Sequence, residues 1–580
     1  VVAFLLACAH APPVQEAPVP ELHAQAVAGV EDPALRSLLH DHWEATMARY
    51  PEWSTRLGDG RYDDRLTDRS TVARTRWIAQ EQAWLDRAEA LTPATRADQV
   101  TVALFREELA IDLAKDACRY EQWAVSARNN PLSWASWLPG PHPVDALPAL
   151  QARYRALPAS FEQAAADLLS ARDDGLVANA ESLRRVVEML DRELALPLAD
   201  WALVTQLPDH TDTAPFLEAL AGLPEAVAAY RNVVRDEILP HGRTGAEVGL
   251  VGLPEGERCY ELAIREYTGL PLTPDELHAT GLRELERVHD GFRELGETLW
   301  GETDLEAIFA RLRDDPELRF ATAEEVEQTA RDAVARAGAA LPQVLGVVPD
   351  TPCEVEPIPA FEAPYTTVAY YRQPPGDGSG PGTYFINVHA PETRPRFEAE
   401  ALAWHEAIPG HHTQIALAQS LGDLPAFRRY GGHTAFVEGW ALYAESLADE
   451  LGLYTGLEDQ LGRYSFDAWR AARLVVDTGV HARGWTREEA KDFLASQTPL
   501  ALNNIDNEVD RYISWPGQAL AYMTGRLWIE ELRAEAEAAL GEGFDLRAFH
   551  DRVLGGGAVS LPVLREEVEA WVAEQASGSL

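Results

Sequence analysis

The segment Trp404–Gln414 reads WHEAIPGHHTQ and places three histidines and a glutamate within eight residues. Imidazoles and carboxylates this concentrated have little use in an apolar core, and they match the donors that hold a zinc ion for hydrolysis. In the usual arrangement two histidines four residues apart share one helix face, with a glutamate between them beside the reacting water. Here the residue four beyond His405 is Pro409, so that pattern is broken. Proline lacks the amide proton an inner helical turn needs and its ring crowds an earlier carbonyl, while glycine admits unusual backbone angles. Pro409-Gly410 therefore predicts a two-residue bulge that delivers His411 to the place of the second ligand. His412 competes for that place, because seven residues of unbroken helix would return it close to the face of His405.

A catalytic zinc takes three protein ligands and keeps one position open. Glu438, at the head of EGWALYAE, is the expected third ligand, and Glu445 on the same helix would orient a ligand or pair with an arginine. The apolar neighbours Phe436, Trp440, Leu442 and Tyr443 predict that this helix is partly buried, where an unpaired carboxylate is costly. With His405, His411 and Glu438 on Zn2+, Glu406 becomes the expected general base, taking a proton from water and returning it to the leaving amine. Arg473, Asp477 and His481 follow at helical spacings of four. They predict either a chain in which Asp477 fixes His481 as an oxyanion donor or a polar network that only organises the lobe. Tyr512 and Tyr522 offer phenolic donors, Tyr522 being the better placed, and Arg511 or Arg526 could clamp a peptide carboxylate with a planar fork.

These groups need a rigid frame, and the pattern predicts a mainly α one. From about residue 23 to 350 apolar residues recur at helical spacing. TPDELHATGLRELERVHDGFREL carries a capping Thr273, Pro274 at the first helical position, Glu276 completing the box, and a stripe of Leu285, Val288, Phe292 and Leu295. Thr322 with Glu325 and Thr486 with Glu489 repeat the start signal. QPPGDGSGPG from Gln373 reads as a loop and Thr383–His389 as a small β element near the metal helix. In it Tyr384, Ile386 and Val388 face one side and Phe385, Asn387 and His389 the other. Such a strand would pair with an extended substrate, bringing Asn387 to it, or form a hairpin in the lobe wall. The expected organisation is a leader and tether over 1–22, a helical N-terminal part over 23–350 and a metal-bearing catalytic part over 351–580.

Asp and Glu number 93 against 50 Lys and Arg, a formal charge of -43, which opposes nucleic acid or an anionic membrane face as a partner. The start, VVAFLLAC, is too short to span a bilayer, yet Leu5-Leu6-Ala7-Cys8 resembles a lipobox whose Cys8 would carry a lipid anchor, with the proline-rich APPVQEAPVP as tether. Cys118, Cys259 and Cys353 are far apart and form no CxxC pair, so neither a cysteine metal site nor a disulfide scaffold is expected.

At HExxPGHxxQ (His405, Glu406, Pro409, Gly410, His411, Gln414) and EGWALYxE (Glu438 to Glu445), the chain resembles the bacterial family called domain of unknown function 885. RLVVDTGVH from Arg473, RYISWPGQALAYMTGR from Arg511, LGDGRYDDRL from Leu57 and LTPDELHATG extend the resemblance over nearly all but the leader. It implies lipoproteins with a helical, cleft-bearing scaffold similar to gluzincin peptidases, in which the second element gives the zinc glutamate, here Glu438. The expected function is a zinc metallopeptidase, a carboxypeptidase or oligopeptidase, cutting short peptides at the cell envelope, on the periplasmic side of an outer membrane or as a soluble secreted protein. A zinc amidase on a peptide-like wall fragment and a lipid-anchored, metal-containing binding protein are the alternatives, and no protein partner is deducible.

Overall fold

The structure is a computed structural model and describes residues 22–578 apart from 137, 139–145, 360–362, 364–367 and 377–379. Cys8 and the tether lie outside the described residues. The fold is mainly α. Helices α1 (Arg96–Asp116), α2 (Ala180–Leu194), α3 (Gly256–Thr268), α4 (Pro274–Trp300) and α5 (Ala323–Ala340) precede a three-stranded sheet of β1 (Cys353–Pro357), β2 (Ala369–Arg372) and β3 (Gly382–Ile386). After it come α6 (Ala399–Glu406), α7 (His411–Ser420), α8 (Thr434–Glu450), α9 (Leu457–Arg483), α10 (Leu502–Ser514) and α11 (Ala521–Leu540). No helix among the described residues is long and apolar enough to cross a membrane.

The start signals act locally as their chemistry dictates. Thr273 accepts from the Glu276 amide while the Glu276 carboxylate accepts from the Thr273 amide, and Thr486 with Glu489 repeats the box. Thr322 caps its helix, but Glu325 reaches one residue further back, to the Ala321 amide. The stripe on α4 packs against α9, so Leu285, Val288 and Phe292 share one core with Leu474, Val475 and Val476. The N-terminal helices and the metal-bearing segment thus bury a common apolar interior.

The sheet has the order β1-β3-β2, with β3 parallel to β1 and antiparallel to β2. Its alternation follows the sequence: Tyr384 and Ile386 enter the main core while Phe385 packs on the other face with Ile358 and Ala363. The strand is shorter than expected, ending at Ile386, and lies in the middle of the sheet. Both its edges are hydrogen-bonded, so pairing of β3 with an extended substrate is corrected to a wall element.

A second correction concerns the cysteines. Cys118, just after α1, forms a disulfide with Cys259 of α3 across 141 residues, the Cα atoms 5.7 Å apart. Separation along the chain says nothing about this proximity, which the packing of α1 on α3 creates. Cys353 remains a thiol, and burial pushes it up to about 12.

Candidate metal centre

Helix α6 ends at Glu406 and α7 begins at His411. Between them Ala407 (φ -110°, ψ -109°) and Gly410 (φ -75°, ψ -127°) leave the helical region. A Cβ on Gly410 would collide with the carbonyl oxygens of Trp404 and His405, so the fold-back requires glycine there. The Pro409 carbonyl accepts from the Trp440 indole at 2.9 Å, which ties the bulge to α8, the helix that carries Glu438. Helix α8 is set in turn by α11, for Gly439 and Gly525 meet with backbones so close that a Cβ on either would strike the opposite chain.

The result is a compact donor set. Glu438 Oε2 lies 3.4 Å from His411 Nε2 and 3.6 Å from His405 Nε2, and the two imidazoles stand 4.8 Å apart at 81°. Atoms held about 2.1 Å from a tetrahedral zinc are spaced by about 3.4 Å. His405 Nδ1 donates to Glu445 Oε1 at 2.8 Å, so Nε2 is the ring nitrogen that faces the Glu438 carboxylate and that a cation would take on displacing its proton. Glu438 Oε2 and His411 Nδ1 are buried without a hydrogen bond. Burial alone would lower the His405 imidazolium, yet Glu438 and Glu445 override it and hold it at about 9. Burial would raise Glu438, yet the two imidazoles keep it well below the usual carboxylate range. Two imidazole nitrogens and a carboxylate oxygen converging on one point fit a cation with an open position. His412 does not share in this set: its Nδ1 meets the Tyr371 hydroxyl and its Nε2 the Thr351 carbonyl, both at 3.0 Å, and burial lowers it to about 4.

Glu406 is half-buried and has no hydrogen-bond or ion-pair partner among the described residues. Tyr384, fully buried on β3 with its hydroxyl unpartnered, is held well above its ordinary pKa by burial and by the Glu406 charge, and so stays a neutral phenol. Its involvement was missed in sequence reasoning, which read only strand alternation there. The Tyr522 ring lies nearly parallel to His405, centroids 6.4 Å apart. Its oxygen accepts from Arg511 at 3.1 Å and from Gln518 at 3.3 Å, which occupies both lone pairs and leaves the O–H free to donate.

Other expected groups are spent elsewhere. Arg473, Asp477 and His481 form no chain. Arg473 bonds Tyr512 Oη and Glu508 at 3.0 Å, Asp477 accepts from the Tyr260 hydroxyl and the Gly517 amide, and His481 meets the Leu250 amide and the Tyr512 carbonyl. With both ring nitrogens committed, and burial lowering it to about 3, His481 is corrected from oxyanion donor to a strut between segments. Tyr512 also accepts from the Trp469 indole and is buried. Arg526 is buried against Asp467 and Glu530, which corrects its reading as a carboxylate clamp. Asn387 donates to the Ala363 carbonyl and accepts from the His389 amide, so it holds the chain after β3 and not a substrate.

A cavity of about 1130 Å³ lies between α2 and α10, walled in part by Arg128, Arg394, Phe397, Glu398, Glu508 and Arg511. The candidate ligands do not line it; Arg511, through Tyr522, connects its wall to the metal centre. Arg470, also missed, is buried beside Tyr522, and its only sequence signal is the aromatic pair Phe466 and Trp469 around it.

Comparison with known proteins follows this geometry. The family described as "Bacterial protein of unknown function (DUF885)" matches residues 51–568. Similar solved structures include a candidate lipoprotein from Colwellia psychrerythraea, with TM-score 0.84 and 25% identity over 93% of this chain and 99% of that one. Another is a candidate lipoprotein of unknown function from Shewanella oneidensis, with TM-score 0.70 and 19% identity over 92% of this chain and 98% of that one, a likeness of fold alone. No curated protein matches the chain.

Proposed function

The chain belongs to the bacterial DUF885 family, and we propose that this member is a zinc-dependent hydrolase of short peptides. The observation that carries the reading is the convergence of His405, His411 and Glu438 on one point beside a glutamate, Glu406, with no hydrogen-bond or ion-pair partner among the described residues. A purely structural zinc site has no need of a free carboxylate next to it, whereas hydrolysis does. The same ligand set and base mark gluzincin peptidases, which supports the assignment. Zinc held there would supply Lewis acidity toward an amide carbonyl and acidify a water. Glu406 then takes the water proton and returns it to the departing amine. Tyr522 directs its free O–H at the carbonyl oxygen as negative charge develops, while Arg511 and Gln518 fix the phenol. Glu445 fixes the tautomer and plane of His405.

We place the protein at the cell envelope. The Colwellia and Shewanella structures are named as candidate lipoproteins, the LLAC segment offers Cys8, and a Cys118–Cys259 disulfide suits an oxidising compartment.

The test is hydrolysis of a diverse peptide library by wild type and Glu406→Gln protein, with zinc quantified and products identified by mass. Zinc bound by both and cleavage lost from the variant, by a factor of about 10³, is the expected result. Full turnover in the variant would sink the base assignment, and stoichiometric zinc without cleavage by wild type would sink the peptidase.

A further inference from the structure

Six arginines are buried among the described residues. Arg153, Arg243, Arg428, Arg473 and Arg526 each bond carbonyls, hydroxyls or carboxylates. Arg470 is the exception: it is 4% exposed, forms no hydrogen bond or ion pair with the described residues, and its Nε and Nη1 are buried with no partner among them. Its guanidinium carbon sits 4.4 Å from the Phe466 ring, 4.5 Å from Trp469 and 5.9 Å from Tyr522. Aromatic faces hold a cation in place but bring no counter-charge, and a guanidinium buried without an anion is costly.

Among the described residues no carboxylate forms an ion pair with Arg470, and Glu398, on which its charge bears, does not hydrogen-bond to it. Glu398 accepts from the Ser465 hydroxyl at 2.6 Å, Glu508 pairs with Arg473 and Arg511, and Glu438 and Glu445 face the histidines. Arg128, on the cavity wall, forms no ion pair among the described residues either; burial and then the Arg511 and Arg473 charges disfavour its protonated form, which Glu508 only partly offsets. In a chain of charge -43, the guanidinium groups of Arg470, Arg473 and Arg511 thus meet at Tyr522 with Glu508 as their one paired carboxylate among the described residues. Such a surplus suits an anion that arrives from outside.

We propose that Arg470, with Arg128 and Arg511 at the cavity wall, receives a carboxylate of the substrate, and that this is the free α-carboxylate of a short peptide. A planar fork matches the two oxygens of a carboxylate. Arg470 reaches His405 across the single ring of Tyr522, which confines the carboxylate to within a few residues of the metal centre. The peptide part of this inference rests on the hydrolase reading; the carboxylate part rests on Arg470 alone.

The experiment measures binding of fluorescent pentapeptides in three matched forms, free acid, C-terminal amide, and amide with an internal glutamate, to Glu406→Gln protein with and without Arg470→Met. The free acid binds about 100-fold tighter than the amide, and Arg470→Met removes most of that preference. Because methionine relieves a buried unpaired charge at similar volume, the Tm of the variant stays level or rises. Arg470→Lys keeps the charge without the fork and loses about tenfold in affinity for the free acid. Equal binding of acid and amide, or a Tm that falls in Arg470→Met while the preference persists, overturns the proposal. Equal binding of the glutamate-bearing amide and the free acid overturns the α-carboxylate as the source. An Arg470-dependent preference in a wild-type protein that cleaves nothing keeps the recognition and sinks the peptidase, whereas equal cleavage of acid and amide does the reverse.

Discussion

Replacing Glu445 by Gln isolates what a carboxylate behind a metal ligand contributes. Glu445 is fully buried and its Oε1 accepts the hydrogen bond of His405 Nδ1 at 2.8 Å, while its Oε2 has no partner among the described residues. Glutamine keeps the shape and leaves a carbonyl oxygen for the same hydrogen bond, so the change removes charge and little else. A hydrogen bond to a charged group contributes roughly 1.5–3 kcal/mol against about 1 for a neutral one. The difference of about 0.5–2 kcal/mol corresponds to a roughly 2- to 30-fold loss of metal affinity, and partners of ligating histidines in general carry about 10–100-fold. The two ranges overlap at about 10–30-fold. Competition between the protein and a chromophoric zinc chelator reads the affinity, and native mass spectrometry reads the stoichiometry. A Glu445→Gln protein with affinity within twofold of wild type would refute the idea that Glu445 sets His405 as a ligand.

Further outcomes follow from neighbouring contacts. Tyr522→Phe removes the free phenolic proton and should lower kcat by about 10²–10³ with zinc content unchanged; a kcat within threefold of wild type would show that the carbonyl oxygen is served otherwise. Asp477 is raised from 3.8 to about 7 by burial, which the Tyr260 and Gly517 bonds only partly offset. A carboxyl raised in the fold binds its proton more tightly there than in the unfolded chain, so its contribution to stability falls as pH rises from about 4 to about 7 and stays low above that. Asp477→Asn should therefore match wild type near pH 4 and be more stable at pH 8 by at most about 4 kcal/mol, read as a higher Tm; equal Tm at both pH values would contradict the shift. Loss of the Cys118–Cys259 bond by double serine substitution should cost roughly 2–5 kcal/mol, read as a lower Tm that reductant reproduces in wild type, and a reductant-insensitive wild type would show that the bond does not form.

Local chemistry was legible wherever it depends on neighbours in the chain. Thr273-Pro274-Asp275-Glu276 starts a helix because cap and box lie within four residues. Pro409-Gly410 had to interrupt the helix, since one lacks the amide and the other alone tolerates the close carbonyls. That break, with the imidazoles beside it and Glu438 in an apolar helix, made the donor set readable from the sequence up to the choice between His411 and His412. Spacing was a poor guide where it only suggested contact. Arg473, Asp477 and His481 recur at four residues, yet along a helix that is buried nearly all round each side chain faces a different neighbour. Their partners come from α3, α10 and the loops before α3 and α11, and no local rule names them.

The sequence by itself therefore determined the mainly α class, the helix starts, the bulge and the residues that meet at it, because caps, period and backbone sterics act over a few residues. Tertiary structure alone decided that β3 lies inside its sheet, that Cys118 meets Cys259, that His411 and not His412 faces Glu438, and that Arg470 is buried without an anion. Those outcomes depend on which surfaces the long-range packing of α4 on α9 and of α8 on α11 brings together. A partner supplied across hundreds of residues leaves no mark at the position that receives it.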